Sequence, residues 1–327
     1  MTIERLSELA YYRTGGSCSR IYLPESIDEI AEAVREIHRL SLPFFVLGGG
    51  TNSLVCDDEW PGAVIALARM QGLRTLDEQG RVFCEAGVEN SAFANFAADE
   101  GLNGAGWMYR LPGQMGGTVR MNARCYGGEI SQIVRRVTCV DLRGNVVVHD
   151  DTSKVFRGYK DTSFMRTGEI VASVEIQLQP GDTAATRELM KFCEDDRVMK
   201  GQFTFPSCGC VFKNDYSVGV PSGMLLEAAG VKSLARGGAV VSPHHANFVF
   251  NKGASSRDIM ELSLMMRESV YAKFGVWLEY EMEVLGKIPA DLDARIREVR
   301  ARGPETPDLA ALRQKFRVTG PRAPSGT

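Results

Sequence analysis

GWMYRLPGQMGGTVRMNA, at residues 106–123, places Gly113, Gly116 and Gly117 directly before an apolar stretch that should pack. Glycine loses more conformational freedom on folding than any other residue, so such a cluster needs a structural reason. A second cluster, LGGGTNSLV at residues 47–55, follows a short apolar run that is typical of a buried strand. A strand followed by a glycine-rich loop lets backbone N–H groups converge on an anion such as a phosphate.

The two clusters do not match the common nucleotide motifs. Neither has the G-x-G-x-x-G spacing of a Rossmann dinucleotide site, and the chain has no Walker A sequence. A single run of glycines is weak evidence, because tight turns use it often. Two clusters beside strand-like residues suggest one extended ligand across two small subdomains, and a dinucleotide has the right length.

Composition and charge exclude several classes of protein. The chain has 327 residues, of which 44% are apolar and 24% charged, with a net charge of −3. This length allows two or three domains, and the absence of a basic excess argues against nucleic-acid and membrane-surface partners. The sequence has no leader-like start and no run of about 18 apolar residues, so we expect no membrane insertion and a cytoplasmic protein.

Eight scattered cysteines fit a reducing compartment, and most are expected to be small buried side chains. Cys208 and Cys210 lack the second pair that a four-ligand zinc site needs. The adjacent His244 and His245 diverge in a helix and in a strand alike. We therefore expect no metal site.

Periodicity predicts a mixed α+β chain. Residues 26–40 form an amphipathic helix with a capping box of Ser26 and Glu29, and residues 91–101 form a helix that ends at Gly101. Strands are expected at 43–47, 62–70 and 80–88, a hairpin at 136–150 and a half-buried strand at 169–182. Antiparallel pairs beside a helix–strand unit favour α+β over a doubly wound sheet.

The second half begins after a predicted linker at 180–188. A second glycine-rich region spans 205–251, and an amphipathic helix is expected at 258–275, with Ile259, Leu262, Met266 and Val270 on one face. From Pro289 onward the chain is rich in Arg, Ala and Pro, which is typical of a solvated or partly helical tail.

Over roughly residues 10–286 the sequence resembles the UDP-N-acetylenolpyruvoylglucosamine reductases. PSCGCVFKN (206–214), the run 225–251 and LEYEMEVLG (278–286) are similar to that family's motifs and occur in its order. The resemblance implies an FAD-binding region of the vanillyl-alcohol-oxidase/PCMH type in two parts and a C-terminal α+β substrate-binding domain. The expected domains are 1–66 and 67–184 for FAD, 185–288 for substrate, and a flexible or partly helical tail at 289–327.

The resemblance also assigns both glycine clusters to noncovalent FAD. The first would wrap the pyrophosphate and the second would pass along the flavin, where no side chain fits. No histidine lies near the first cluster, and Cys56, although close, is not expected to be a covalent tether. The implied cofactor-binding residues are Gly48, Gly49, Gly50, Thr51, Asn52, Ser53, Gly113, Gly116, Gly117, Asn122 and Ala123.

The implied activity is NADPH-dependent reduction of a UDP-sugar in peptidoglycan precursor synthesis. Cys210 stands where the family has its proton-donating serine, and a thiol, with an ordinary pKa of roughly 8.5, is the stronger acid. Glu281 takes the position of the catalytic glutamate. Glu279 would share its face of a strand, so periodicity does not separate the two acids and only the motif selects Glu281.

Lys160, beside Tyr159, stands where the family usually has an arginine that pairs with the substrate carboxylate. Lysine keeps the charge but lacks the two-pronged guanidinium. Arg157 lies three residues earlier and would face the other side of a strand. Lys213 and Asn214 are expected at the substrate diphosphate. The departures at Lys160 and Cys210 leave two alternatives: an FAD-dependent paralogue with another substrate, or a flavin-binding protein without turnover.

Overall fold

The computed structural model describes residues 5–319, with side chains up to residue 316, so residues 320–327 of the predicted tail lie outside the described residues. The chain forms two compact units. The first contains residues 5–11, 16–51 and 59–199, and the second contains residues 12–15, 52–58 and 200–319. No helix within this range combines the length and apolarity that a bilayer crossing requires.

The α-helices follow one another along the chain as α1 (Ile27–Arg39), α2 (Asn90–Asp99), α3 (Met115–Arg120), α4 (Ile130–Ile133), α5 (Phe164–Thr167), α6 (Thr183–Met199), α7 (Ser222–Ala228), α8 (Ser256–Phe274), α9 (Ala290–Arg297) and α10 (Pro307–Thr319). The strands are β1 (Cys18–Tyr22), β2 (Phe44–Leu47), β3 (Ser53–Val55), β4 (Trp60–Ala66), β5 (Leu73–Thr75), β6 (Arg81–Glu85), β7 (Leu102–Asn103), β8 (Arg124–Cys125), β9 (Gly128–Glu129), β10 (Val134–Val140), β11 (Val146–His149), β12 (Phe156–Gly158), β13 (Asp161–Thr162), β14 (Ile170–Gln177), β15 (Gln179–Pro180), β16 (Ala235–Arg236), β17 (Ala239–Val241), β18 (Val249–Asn251) and β19 (Glu283–Leu285).

The first unit contains a parallel sheet in the order β1-β4-β2 and an antiparallel sheet in the order β11-β10-β14-β6-β5. The central strand β14 is buried on both faces, because Val171 and Val174 enter one apolar core while Ile170 and Ala172 enter another. The expected half-buried pattern at 169–182 is therefore wrong. A strand that is covered on both sides of a sheet does not need polar alternation.

Most predicted elements of the first unit are confirmed, with local corrections. Ser26 caps α1 by accepting from Glu29 N, but the Glu29 carboxylate accepts from Glu25 N instead of completing the capping box. The strand predicted at 62–70 ends at Ala66, where a 3-10 turn begins. The linker predicted at 180–188 is wrong from residue 183 onward, because α6 occupies that stretch. The expected boundary between residues 184 and 185 falls within this helix.

The second unit is built around α8, which packs against the antiparallel sheet β16-β17-β18. The predicted apolar face of α8 is buried, and Ser255 and Asp258 form its capping box. The tail is not merely solvated: α9 and α10 bury Leu292, Ile296 and Leu309 in the core of this unit.

Arg267 of α8 ties this tail to the unit. It is buried, and its guanidinium lies 4.2 Å from the Trp277 ring centroid and 4.5 Å from that of Tyr280. It also donates hydrogen bonds to the backbone carbonyls of Arg295 and Ile296, at the end of α9. The carbonyls and the aromatic faces together compensate a buried cation.

Candidate active site

The two glycine clusters lie against each other within the first unit. Thr51 Oγ1 donates a hydrogen bond of 3.3 Å to the carbonyl oxygen of Pro112. A Cβ atom on Gly49 would come within 3.5 Å of the Gly113 Cα atom. The fold therefore brings together the stretches 48–51 and 112–117, which sequence alone connects only through the resemblance.

Some of these glycines are required by the protein's own packing. Gly50 has a φ of +64°, and a Cβ there would lie 2.9 Å from the Cα atom of Ala10. Gly113 has a φ of +118°, and a Cβ would lie 2.7 Å from Thr51 Oγ1. Both the backbone conformation and the space exclude larger residues. Gly117 is different, because it is exposed and a Cβ would meet no protein atom within 4 Å.

Helix α3 carries the end of the second cluster. Gly116 N donates to the carbonyl oxygen of Ala86 at 2.9 Å, and a Cβ on Gly116 would lie 2.9 Å from the Ala86 Cβ. Ala123 follows the helix, is buried, and donates its N–H to Thr118 O at 2.9 Å. The close approach at Gly116 fixes the helix, so that Gly117 is presented outward.

Two buried oxygens beside these loops have no hydrogen-bond partner among the described residues: Gln114 Oε1 and Asn122 Oδ1. A Cβ on Gly48 would lie 3.4 Å from Gln114 Oε1. The Asn122 backbone is left-handed at a φ of +42°, and its Nδ2 donates to Glu129 Oε1 at 2.8 Å and to Gly158 O at 2.9 Å. Buried acceptors are normally paired, so a ligand with hydroxyl or amide donors, such as a dinucleotide, fits these loops.

Tyr159 and Lys160 form the turn between β12 and β13. Lys160 has a φ of +52°, which is uncommon for a residue with a Cβ. The turn is connected to the second cluster through the bond from Asn122 to Gly158 O. The guanidinium carbon of Arg124 lies 4.7 Å from the Tyr159 ring centroid. The expected carboxylate site and the expected flavin segment therefore share one hydrogen-bonded region of the first unit.

In the second unit, Asn52 is bonded to the segment that carries Glu281. Asn52 Nδ2 donates to the carbonyl oxygen of Glu281 at 2.8 Å, and Glu283 N donates to Asn52 O at 3.0 Å. From Ser53 onward, β3 pairs in parallel with β19, with Ser53 opposite Glu283. The first cluster therefore continues into a strand beside the expected catalytic glutamate.

Cys210 and Glu281 lie on neighbouring extended segments. Glu281 N donates to Val211 O at 2.9 Å, directly after Cys210, and both side chains are half-buried. Cys208 is fully buried, and its pKa is raised by burial first and then by the nearby Cys210 and Glu281. The backbone that carries Cys210 therefore runs beside the segment of Glu281, and burial favours the neutral thiol of Cys208.

Lys213 and Asn214 continue the extended segment that carries Cys210 and Val211. Lys213 N donates to Glu279 O at 2.9 Å, and its ammonium is 2.5 Å from Glu279 Oε1. The side chain of Glu279 is 75% exposed, so this ion pair is open to exchange with another anion. Asn214 Oδ1 accepts from Ser222 N at 2.9 Å and holds the start of α7. Glu279 and Glu281 thus have different surroundings, although strand periodicity places them on the same face.

The fold therefore groups the predicted residues in two sets. The first unit holds the glycines, Thr51, Asn122 and Ala123 with the Tyr159–Lys160 turn. The second unit holds Asn52, Ser53, Cys210, Lys213, Asn214 and Glu281. Gln114, whose buried Oε1 has no partner among the described residues, was not among the predicted residues, although it lies within the second glycine cluster. Within residues 5–319 no group of three or more His, Cys, Asp and Glu side chains is arranged to hold a metal ion.

Comparison with known proteins finds matches to two family models. Residues 18–150 match the model of an FAD binding domain, and residues 201–285 match the C-terminal domain of UDP-N-acetylenolpyruvoylglucosamine reductase. The reductase of Carboxydothermus hydrogenoformans is 33% identical over 285 residues, covering 87% of this chain and 93% of the relative. That of Pelobacter propionicus is 33% identical over 291 residues, covering 87% and 95%.

A solved structure gives the same result. The crystal structure of the reductase from Thermus caldophilus superposes with a TM-score of 0.71 at 30% identity, covering 87% of this chain and 99% of that one. The fold is α+β, with an FAD-binding region followed by the reductase C-terminal domain. The chain belongs to the UDP-N-acetylenolpyruvoylglucosamine reductase family.

Proposed function

We propose that this protein reduces UDP-N-acetylenolpyruvoylglucosamine to UDP-N-acetylmuramate, with NADPH as reductant and noncovalent FAD as cofactor. Family membership over almost the whole length of the relatives supports the substrate and the reductant. The match to an FAD binding domain and the buried acceptors of Gln114 and Asn122 support the cofactor. The two glycine clusters, with Asn52 and Ser53, would hold the cofactor, and Cys210, Lys213, Asn214 and Glu281 would contact the substrate.

The chemistry that bound FAD would supply is hydride transfer, first from NADPH and then to the enolpyruvyl double bond. The protein's own residues must bind the substrate, stabilise the negative charge that develops on its carboxylate and adjacent carbon, and deliver one proton. In this proposal the Cys210 thiol donates that proton. A thiol is a competent acid at neutral pH, so the replacement of serine keeps the step possible.

The observation that supports the proposal is the bond from Glu281 N to Val211 O, which joins the backbone segments that carry the Glu281 carboxyl group and the half-buried Cys210. Glu281 would polarise the substrate carboxylate. Lys213 and the Asn214 amide would hold the diphosphate, with the substrate phosphate displacing the exposed Glu279 carboxylate from Lys213. The substrate diphosphate as a whole carries more negative charge than a carboxylate, which favours this exchange.

The test is an anaerobic absorbance record of the FAD-loaded protein. NADPH is added first, and UDP-N-acetylenolpyruvoylglucosamine second. We expect the flavin absorbance at about 450 nm to fall and then return, as is usual for a flavin hydride carrier, with UDP-N-acetylmuramate in the product mixture. If the flavin absorbance recovers with oxygen but not with this substrate, the proposed substrate is wrong, and an FAD-dependent paralogue with another substrate is favoured. Failure to bind FAD would contradict the cofactor.

A further inference from the structure

The chain continues past the family-matched domain, and its last helix contacts the segment that follows the expected diphosphate residues. The match to the reductase C-terminal domain ends at residue 285, whereas α9 and α10 lie further along the chain. We propose that α10, through Arg313, positions Asn214 for the substrate diphosphate and so sets the affinity for the substrate. The inference deepens the proposed function and rests on it.

Residues 214–222, which we call the diphosphate loop, are closed at both ends. Asn214 Oδ1 accepts hydrogen bonds from Ser222 N at 2.9 Å and from Ser222 Oγ at 3.0 Å. Since both groups of Ser222 bond this oxygen, the amide nitrogen is the part of the Asn214 side chain that can donate to a phosphate. Between the two ends, Asp215 Oδ1 accepts from Ser217 N at 2.9 Å and caps a 3-10 turn. The orientation of the Asn214 amide therefore depends on the path of this short loop.

Arg313 of α10 holds the middle of the diphosphate loop. Its Nε donates to the carbonyl oxygen of Val218 at 2.9 Å, and its side chain is 20% exposed. Val218 is buried, and a Cβ on Gly219 would lie 3.4 Å from Arg313 Nε. Glu305 Oε1 lies 2.7 Å from Arg313 Nη1 and orients the guanidinium. Hydrogen bonds from a charged donor are stronger than those between neutral groups, so this bond restrains the loop.

The helix α10 is anchored independently of that bond. Leu309 is fully buried in the core of the second unit, and Leu312 packs against the same core. Before the helix, Gly303 N donates to the carbonyl oxygen of Gly275, which caps the end of α8, at 2.8 Å. The helix is therefore a fixed support, and the Arg313 bond transmits its position to the diphosphate loop.

A merely structural role for Arg313 is the competing interpretation, and the two roles predict different kinetics. The bond from Glu281 N to Val211 O joins the segments of the expected reacting groups and lies outside the diphosphate loop. Loss of the Arg313 bond should therefore weaken substrate binding without changing kcat. A general loss of stability would instead lower kcat, because it lowers the fraction of folded protein.

The experiment measures binding of UDP-N-acetylglucosamine to the FAD-loaded oxidised protein by calorimetry. The kcat for UDP-N-acetylenolpyruvoylglucosamine is measured separately at saturating substrate. Arg313→Ala should weaken binding by roughly 3- to 30-fold, the range for coupling through a neighbouring segment, with kcat unchanged. Parental affinity in this variant, or a fall in kcat as large as the fall in affinity, would overturn the proposal.

Two control variants separate the bond to Val218 from other effects on the tail. Glu305→Gln removes the ion pair of Arg313 but keeps the donor to Val218 O, and it should bind the ligand like the parent. Arg297→Ala changes a side chain of α9 that is 69% exposed and pairs with Asp293, and it should also bind like the parent. A loss of affinity in either control as large as in Arg313→Ala would overturn the role of the Val218 bond.

Asn214→Asp distinguishes this inference from the proposed function. The carboxylate can still accept from Ser222 but repels a diphosphate, so it should weaken binding more than Arg313→Ala does. Parental affinity in Asn214→Asp would show that the diphosphate does not lie at Asn214, and this part of the proposed function would fail together with the inference. If Asn214→Asp weakens binding and Arg313→Ala does not, the diphosphate site stands and only the role of Arg313 is overturned.

Discussion

Asn52 donates its side-chain amide to the carbonyl oxygen of Glu281 at 2.8 Å. The backbone carbonyl of Asn52 also accepts from Glu283 N at 3.0 Å, so two bonds join the end of the first glycine cluster to the segment of the expected catalytic glutamate. A residue that the resemblance predicts to bind the cofactor thus also fixes the backbone of Glu281.

Replacing Asn52 with alanine should therefore impair turnover even when FAD is saturating. Loss of the bond leaves the part-buried Glu281 carbonyl without its donor, which should lower the free energy of unfolding by about 1–3 kcal/mol. Because a loosened Glu281 segment displaces its carboxyl group, we expect kcat to fall by up to about 100-fold, as measured by NADPH consumption at saturating substrate. Asn52→Asp, which sets a carboxylate against the Glu281 carbonyl, should be at least as poor. Parental kcat in the alanine variant would contradict the positioning role.

The glycines should separate into two groups on substitution. Gly50→Ala forces a Cβ into the backbone of Ala10 at a left-handed φ. It should destabilise the apoprotein by about 2–4 kcal/mol through strain and overlap. Gly117→Ala meets no protein atom and should leave stability unchanged or slightly higher.

Urea unfolding of the apoproteins and titration with FAD measure the two effects separately. Gly117→Ala should weaken FAD binding, because the added methyl group occupies the outward face of α3. Parental FAD affinity in that variant would remove Gly117 from the cofactor site.

Arg267 should be the most sensitive arginine of α8. Arg267→Ala removes two bonds to tail carbonyls and the contacts with Trp277 and Tyr280, and should cost about 3–5 kcal/mol, the range for breaking a buried charged network. Arg257 on the same helix is 45% exposed and pairs with Asp291. Arg257→Ala should change the free energy of unfolding by at most about 1 kcal/mol. Equal effects in urea unfolding would contradict the tail-anchoring role.

Glu129 should make the stability depend on pH. Burial alone would raise its pKa, but hydrogen bonds from Ser131 and Asn122 and the charge of Arg124 hold the pKa below its ordinary value. A carboxyl group with a lowered folded-state pKa stabilises the fold fully above its unfolded pKa of about 4.3. That stabilisation is lost as the pH falls through the folded-state value.

Glu129→Gln should remove this contribution. The difference in unfolding free energy between parent and variant should be largest at pH 6 and shrink as the pH falls below about 4.3. Urea unfolding across this range provides the measurement. A difference that grows toward acid pH would reverse the sign of the argument.

Periodicity located the elements whose burial follows a single face. The helices α1 and α8, the stop at Gly101 and the hairpin turn at Gly144 were predictable, because their apolar spacing and left-handed glycines are local signals. The strand β14 was misjudged because its second face is covered by residues distant in sequence. The start of α6 was missed because Pro180 and Gly181, a common turn signal in sequence, stand just before it.

The site was predictable where motifs are contiguous and not where side chains meet across the fold. The motifs indicated Cys210 and Glu281, but their connection through Val211 depends on pairing between distant segments. The stacking of Arg124 on Tyr159 has no sequence signal, since the two residues are separated by an intervening hairpin. The ion pair of Lys213 with Glu279 likewise became visible only in three dimensions.

An anaerobic rapid-mixing comparison of the parent, Cys210→Ala and Cys208→Ala proteins tests whether the Cys210 thiol is the proton donor. Flavin absorbance is followed first with NADPH and then with UDP-N-acetylenolpyruvoylglucosamine. All three proteins should react alike with NADPH, and only Cys210→Ala should recover more slowly with the substrate, by about 10²- to 10⁴-fold, as expected for loss of a general acid. Recovery of Cys210→Ala at the parental rate would contradict the claim that Cys210 delivers the proton.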